Sequence, residues 1–293
     1  MSSLVLGTAQ LGFQYGIANR TGQPDQAAAY GIIHEAWKHG IKTFDTGQGY
    51  GESEQVLGRS LFQSGCSGEA LIISKIDPRI DHLDISAMTE TLDRTIEALK
   101  ISRLFGILLH KEEMLLLWDK GLSKILHALV ASGRVLKVGV SVYSPEMALQ
   151  ALNTDGIDMV QLPTNVLDRR FENAGVFRLA DKKQKQIYIR SVFLQGLLLM
   201  SPEEIPAKMA FVKPVLRRLE SLSNNLGLTK QEIALGYLRS ELPNAQVIFG
   251  AETQKQVTEN VTAWEKEMPR SLGRQVRELF ADLSENILNP ALW

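Results

Sequence analysis

Four side chains in this sequence could together deliver a proton: Asp45, Tyr50, Lys75 and His110. Asp45 closes the apolar run "IKTFD", Lys75 closes "ALIISK", His110 closes "LFGILLH", and Tyr50 rides the glycine-rich stretch "TGQGYGE" just after Asp45. A tyrosine with an ordinary pKa of ~10 is a poor acid at neutral pH unless a nearby cation stabilises its phenolate. Lys75 supplies that cation. A lysine withdrawn from water needs an anion beside it, and Asp45 is the partner available. His110 can then hydrogen-bond the oxygen that Tyr50 protonates and stabilise charge developing there. Singly, each residue has a plainer reading: a turn-capping acid, a solvated rim lysine, a structural histidine and a packed tyrosine. As a set they suit reduction of a carbonyl.

That chemistry requires elements that bring four strand ends to one place. Short apolar runs recur as "LVLG", "IKTFD", "ALIISK", "LFGILLH", "LKVGVS", "DMVQL", "IYIRS" and "QVIFG", eight strand candidates in all. Between them, "PDQAAAYGIIHEAWKHG", "DISAMTETLDRTIEALK" and "EEMLLLWDKGLSKILHALVASG" carry apolar residues three and four apart and predict amphipathic helices. Strand and helix in alternation predict a parallel sheet. No G-x-G-x-x-G follows the first strand, so an open dinucleotide fold is disfavoured. The even spacing and the lack of a linker predict one domain over residues 1–293, an eight-stranded parallel (β/α)8 TIM barrel. Extra helical sequence, "RSLGRQVRELFADLSENIL", is expected across the barrel's exterior or base. In such a barrel all four residues reach the C-terminal mouth. Gly47, Gly49 and Gly51 are expected to turn the chain so that Tyr50 enters it, with Ser53 capping the next helix.

Lys plus Arg number 32 and Asp plus Glu 33, a net charge of -1 that offers no basic surface to nucleic acid or to an anionic membrane. No apolar run is long enough to span a bilayer, and the first residues lack the pattern of a secretory signal. A cytoplasmic protein acting on a small molecule is expected, its oligomeric state left open. Cys66, the one cysteine, reads as an unremarkable loop or surface thiol. His34, His39, His82 and His127 have no ligand-like spacing, so no metal site is expected.

In "GTAQLG", "FDTGQGYGESEQVLG", "IISK", "LFGILLH", "GRVLKVGVS", "VQLPTNVLDRR", "SVFLQGLLL" and "VIFGAETQKQVTENV" the chain resembles the aldo-keto reductase family. The resemblance runs in order over nearly the whole length. It implies a barrel that binds NADP(H) or NAD(H) in extended form and transfers hydride to or from a carbonyl. It implies Tyr50 as general acid, Lys75 and Asp45 tuning it, and His110 orienting the carbonyl. It places Ser141 and Gln161 at the nicotinamide carboxamide, Asn165 on the same side, and Ser191, Leu194, Gln195 and Gly196 in a loop beneath the pyrophosphate. Gln195 reads equally as a surface residue. Gly250, Ala251, Thr253, Gln256 and Asn260 match the adenosine positions. Two departures concern the ring: Val142 follows Ser141 where Asn is common, and Arg190 replaces a stacking aromatic, though a guanidinium also stacks. Two others concern the adenosine, since Gly250 and Gln256 stand where many NADP-preferring relatives carry Lys and Arg. Glu252 suits a ribose hydroxyl better than a phosphate, whereas Lys255 could reach a phosphate. By family habit NADP(H) is expected over NAD(H).

Short segments after His110 and at the C-terminus imply an open mouth, suited to aldehydes, small ketones or sugar-like polyols. Gln14, Tyr15, Asn19 and Arg20 are expected to reach it, with Trp293 as a wall; Trp118 reads as core. Two other functions fit the same residues: a non-catalytic nucleotide sensor or regulatory subunit, and a lyase or aldolase forming a Schiff base on Lys75.

Overall fold

The computed structural model describes residues 3–281 and 283–293. Eight parallel strands, β1 (Leu4–Gly7), β2 (Thr43–Asp45), β3 (Leu71–Ile76), β4 (Leu104–Leu109), β5 (Val135–Ser141), β6 (Met159–Pro163), β7 (Gln186–Arg190) and β8 (Gln246–Gly250), form a closed barrel in chain order. Closure is made by β1 on β8, with Leu4 opposite Val247 and Gly7 opposite Gly250. This is the expected (β/α)8 TIM barrel.

Around it run α1 (Ala9–Gly12), α2 (Gln26–Lys38), α3 (Ser53–Gln63), α4 (Ile85–Leu99), α5 (Leu122–Ala131), α6 (Pro145–Asn153) and α7 (Arg170–Asn173). They continue with α8 (Val176–Lys183), α9 (Lys213–Leu226), α10 (Lys230–Glu241), α11 (Gln254–Glu265), α12 (Leu272–Leu279) and α13 (Glu285–Leu288). Several begin where the sequence offers a side-chain acceptor to orphan amides: Asp25 caps α2, Asp84 caps α4, Ser144 caps α6 ahead of Pro145, and Thr229 with Glu232 forms a capping box on α10.

Successive side chains of a strand point to opposite faces, and this alternation builds two cores. Leu4, Leu6, Phe44, Ile72 and Ile107 face the helices, each such side chain stabilising the fold by about 1.5–3 kcal/mol. Val5, Ile73, Leu108, Met159, Tyr188 and Ile248 face inward and fill the barrel. Met159 occupies room left by two glycines: a Cβ on Gly139 would lie 2.3 Å from its Cγ, and one on Gly106 2.7 Å from its Cε. The next inward positions, two residues on, are Gly7, Lys75, His110, Gln161, Arg190 and Gly250. Asp45 and Ser141 follow Thr43 and Gly139 in the same way. The inward layer therefore turns from apolar to polar one step below the mouth.

One expectation needs correction and two are narrowed. The segment after His110 is not one helix: a 3₁₀ helix over Glu112–Lys120 ends at Gly121, whose φ of 125° breaks it from α5. Cys66 does lie in a loop but not at the surface: its thiol is buried, donating to the Ser64 carbonyl at 3.2 Å, and burial raises its pKa. The C-terminal stretch, of which Asp282 lies outside the described residues, packs on the exterior, one of the two places expected for it. There Arg277 pairs with Glu241 of α10, and Arg169, in the loop after β6, donates to the carbonyls of Val276 and Phe280 at 3.0 Å each. Among the described residues no helix is long and apolar enough to cross a membrane.

Candidate active site

Asp45, Tyr50, Lys75 and His110 meet in a cleft of about 540 Å³ at the C-terminal mouth. Lys75 is buried, and its Nζ donates to Asp45 Oδ2 at 2.6 Å and to the Thr46 carbonyl at 2.9 Å. The same Nζ lies 4.8 Å from the centroid of the Tyr50 ring. Tyr50 and His110 meet edge to face, with ring centroids 5.8 Å apart.

Burial works to strip the proton from Lys75, but the charge of Asp45 and hydrogen bonding to Asp45 and Tyr50 outweigh it and hold the ammonium above the ordinary lysine range. For Tyr50 the balance differs from the sequence expectation. Desolvation dominates the opposing pull of Lys75, so its pKa is raised rather than lowered, and the side chain stands as a phenol. His110 is pushed down to about 4, mainly by burial and then by Lys75, so its imidazole is neutral at physiological pH. Its Nδ1 is buried without a partner.

The Tyr50 loop is set by backbone packing that the sequence reading misassigned. Of the three glycines only Gly51 has a positive φ, 56°, while a Cβ on Gly47 or Gly49 would sit at ordinary contact distance, 3.6 Å from the Tyr50 ring and from His110 Cε1 respectively, so neither position demands glycine for space. Gly12 of α1, which the sequence reading quotes in "GTAQLG" without giving it a role, is the tighter constraint, since a Cβ on it would lie 1.6 Å from the Tyr50 carbonyl oxygen. Ser53 is not a cap. It is the first residue of α3 and donates to the Thr8 carbonyl at 2.7 Å, tying the loop to β1. Behind the site, buried Glu54 accepts from Ser74 at 2.6 Å and from Thr95 at 3.1 Å, which fastens the same loop to β3 and α4. Burial raises the pKa of Glu54 against those bonds.

Gln161 crosses the floor of the cleft and donates to Asp45 Oδ1 at 2.7 Å. Its Oε1 is buried and unpartnered beside Ser141, an acceptor that an amide N–H of a ligand would satisfy. Arg190 packs its guanidinium 4.1 Å from the Tyr143 ring centroid, donates to the Val142 carbonyl at 3.2 Å, and leaves Nε without a partner. Tyr143 was not singled out in the sequence; only its contact with Arg190 reveals it. Arg190 donates to Ser191 Oγ at 3.4 Å, and Ser191, Leu194 and Gln195 hold φ of 61°, 46° and 56°, a left-handed run that non-glycine residues adopt only when the surroundings demand it. The demand comes from two sides. Asn165 Nδ2 donates to the Ser191 carbonyl at 3.1 Å, and Ile17 and Ala18 donate to the Gln195 carbonyl at 3.0 and 3.4 Å.

The remaining candidates divide. Ser141, Gln161, Arg190, Ser191, Gln195, Gly196, Gly250, Ala251, Gln256 and Asn260 line the cleft, so Gln195 is no mere surface residue. Asn165, Leu194 and Thr253 do not: Asn165 is the prop just described, Leu194 is core, and Thr253 caps α11 by accepting from Gln256. Of Gln14, Tyr15, Asn19 and Arg20, Tyr15 alone lines the cleft, beside Gly16 and Ala18 of the same loop. Asn19 closes its own turn, and Arg20 pairs with Glu204 at 2.9 Å. Trp118 is core against His127, and Trp293 lies outside the lining, its indole donating to the Asn286 carbonyl. Gln10 was missed and fills the space over Gly250, where a Cβ would come 1.8 Å from its Nε2. Among the described residues no three His, Cys, Asp or Glu side chains gather as a metal would need.

The chain matches the model of the aldo/keto reductase family over residues 3–280. A search of curated proteins finds no match. Among solved structures it is similar to an aldo-keto reductase of Bacillus halodurans in its holo form, at 20% identity and a TM-score of 0.77 over 98% of this chain and 95% of that one. It is also similar to a glycerol dehydrogenase of Gluconobacter oxydans, at 20% identity and a TM-score of 0.76 over 99% and 94%. At such identity these likenesses speak for the fold.

Proposed function

We propose that this chain, which belongs to the aldo/keto reductase family, reduces an aldehyde or ketone to the alcohol, with Tyr50 delivering the proton. The observation that carries this reading is the buried 2.6 Å pair of Lys75 and Asp45 beneath Tyr50, with neutral His110 alongside in one cleft. Ser141 and the free Oε1 of Gln161 fit the carboxamide of a nicotinamide, and Arg190 borders the same floor. When bound, a reduced nicotinamide supplies the hydride.

The chain's own residues account for the rest. His110, kept neutral by burial, donates a ring N–H to the carbonyl oxygen and positions it near the phenol. The raised pKa of Tyr50 keeps its proton in place until charge builds on that oxygen. When the proton leaves, the phenolate that remains faces the Lys75 ammonium. Asp45, bonded to both Lys75 and Gln161, fixes that ammonium and balances its charge in a dry site. Tyr15, Tyr143, Gln10 and Arg190 give the mouth hydroxyl, amide and guanidinium groups, which favours a small hydroxylated carbonyl compound. The glycerol dehydrogenase likeness in fold is in keeping with that class.

The test is the initial rate of NADH and NADPH oxidation with reactive aldehydes and small hydroxy ketones, comparing wild type with Tyr50→Phe. Turnover that falls at least ~10²-fold in the variant, with nucleotide affinity unchanged, is the expected result. Nucleotide binding without turnover on any carbonyl would move the assignment to a sensor or regulatory subunit. Borohydride trapping of substrate on Lys75 would mark a Schiff-base enzyme instead.

A further inference from the structure

We infer that the cleft prefers NAD(H) to NADP(H) and that Glu252 sets this preference, the reverse of what family habit suggests. This rests on reading the cleft as a dinucleotide site. The reactive groups occupy one end, so an extended dinucleotide places its adenosine at the other. There the cleft passes over Gly250 and Ala251 to Glu252, Gln256, Glu259, Asn260 and Gln231. Among the described residues lining the cleft, the lysine and arginine groups are Lys75 and Arg190, both at the reactive end. The adenosine end instead holds two carboxylates.

Glu252 is fixed in place. Its Oε2 accepts from Thr21 Oγ1 at 3.2 Å and its backbone N–H donates to Gln256 Oε1 at 2.6 Å, which leaves Oε1 to accept from a ligand. Two amides at this end are already engaged, Glu252 N by Gln256 Oε1 and Gln256 N by Thr253 Oγ1. Lys255 does not substitute for a clamp: its side chain is 85% exposed and pairs with Glu259 at 3.5 Å. A ribose 2'-hydroxyl can donate to a fixed carboxylate, whereas a 2'-phosphate brings like charge against it with no lysine or arginine lining that end of the cleft to compensate.

Dissociation constants settle the point without turnover, measured by nucleotide fluorescence or calorimetry for NADH and NADPH, and for ADP and 2',5'-ADP as adenosine-end probes. Wild type is expected to bind NADH about tenfold or more tighter than NADPH, with ADP ahead of 2',5'-ADP in the same sense. Glu252→Gln should narrow the gap by strengthening the phosphorylated ligands, and Glu252→Lys should close or invert it. Equal or tighter NADPH binding by wild type, a ratio unmoved by Glu252→Gln, or NADPH affinity lost in Lys255→Ala would each overturn the preference while leaving the reductase reading intact. Failure of wild type to bind any of the four would overturn both.

Discussion

Lys75 Nζ sits 2.6 Å from Asp45 Oδ2 with both side chains shut away from solvent. Removing one partner of such a pair strands the other as a buried, unmatched charge, which typically costs about 3–5 kcal/mol. Lys75→Met should therefore lower stability in urea melts by about that amount and abolish turnover. Lys75→Met combined with Asp45→Asn, whose amide oxygen still accepts from Gln161, should recover most of the stability and none of the activity. A single Lys75→Met variant as stable as wild type would show that the pair does not bear on folding.

His110 makes stability depend on pH. Its pKa falls from 6.5 to about 4 in the fold, so across that interval the unfolded chain binds a proton that the native state refuses. Stability from this residue is complete above 6.5 and is lost as pH falls towards 4, by at most about 3 kcal/mol. Melting temperature followed over that range should drop more steeply for wild type than for His110→Gln, and parallel curves would refute the assignment.

Gly12 tests the packing of the Tyr50 loop without touching a reacting group. A Cβ there would lie 1.6 Å from the Tyr50 carbonyl oxygen, so Gly12→Ala must displace backbone. The expected cost is about 1–3 kcal/mol or more, with turnover reduced beyond what the lost stability explains. Gly68→Ala is the control: nothing lies within 4 Å of its Cβ, and it should melt within ~0.5 kcal/mol of wild type.

The barrel was legible because eight apolar runs were separated by helix-period segments, a local pattern. So was the ring of polar residues, since Lys75, Gln161 and Arg190 each stand two positions beyond an inward apolar residue. What escaped depended on contacts across the chain. Gly12 matters because Tyr50 lies against it, Gln10 because β8 brings Gly250 beneath it, and Tyr143 because Arg190 stacks on it. Asn165 and Thr253 carry the types expected of ligand contacts but satisfy the protein's own backbone, and type alone does not separate these uses. The direction of the Tyr50 pKa is a contest between burial and a neighbouring cation, and only the three-dimensional arrangement decides which wins.

The bond from Gln161 to Asp45 joins β6 to β2 across the mouth, between residues 116 apart in the chain. Neither strand borders the other; each holds its side chain in place only because the strands between them, and those closing the ring, are already assembled. Contacts of such long sequence separation form late, after the entropy of the intervening loop has been overcome. During refolding, helical signal and compaction should thus precede any catalytic competence, and recovered turnover would time the moment the ring shuts.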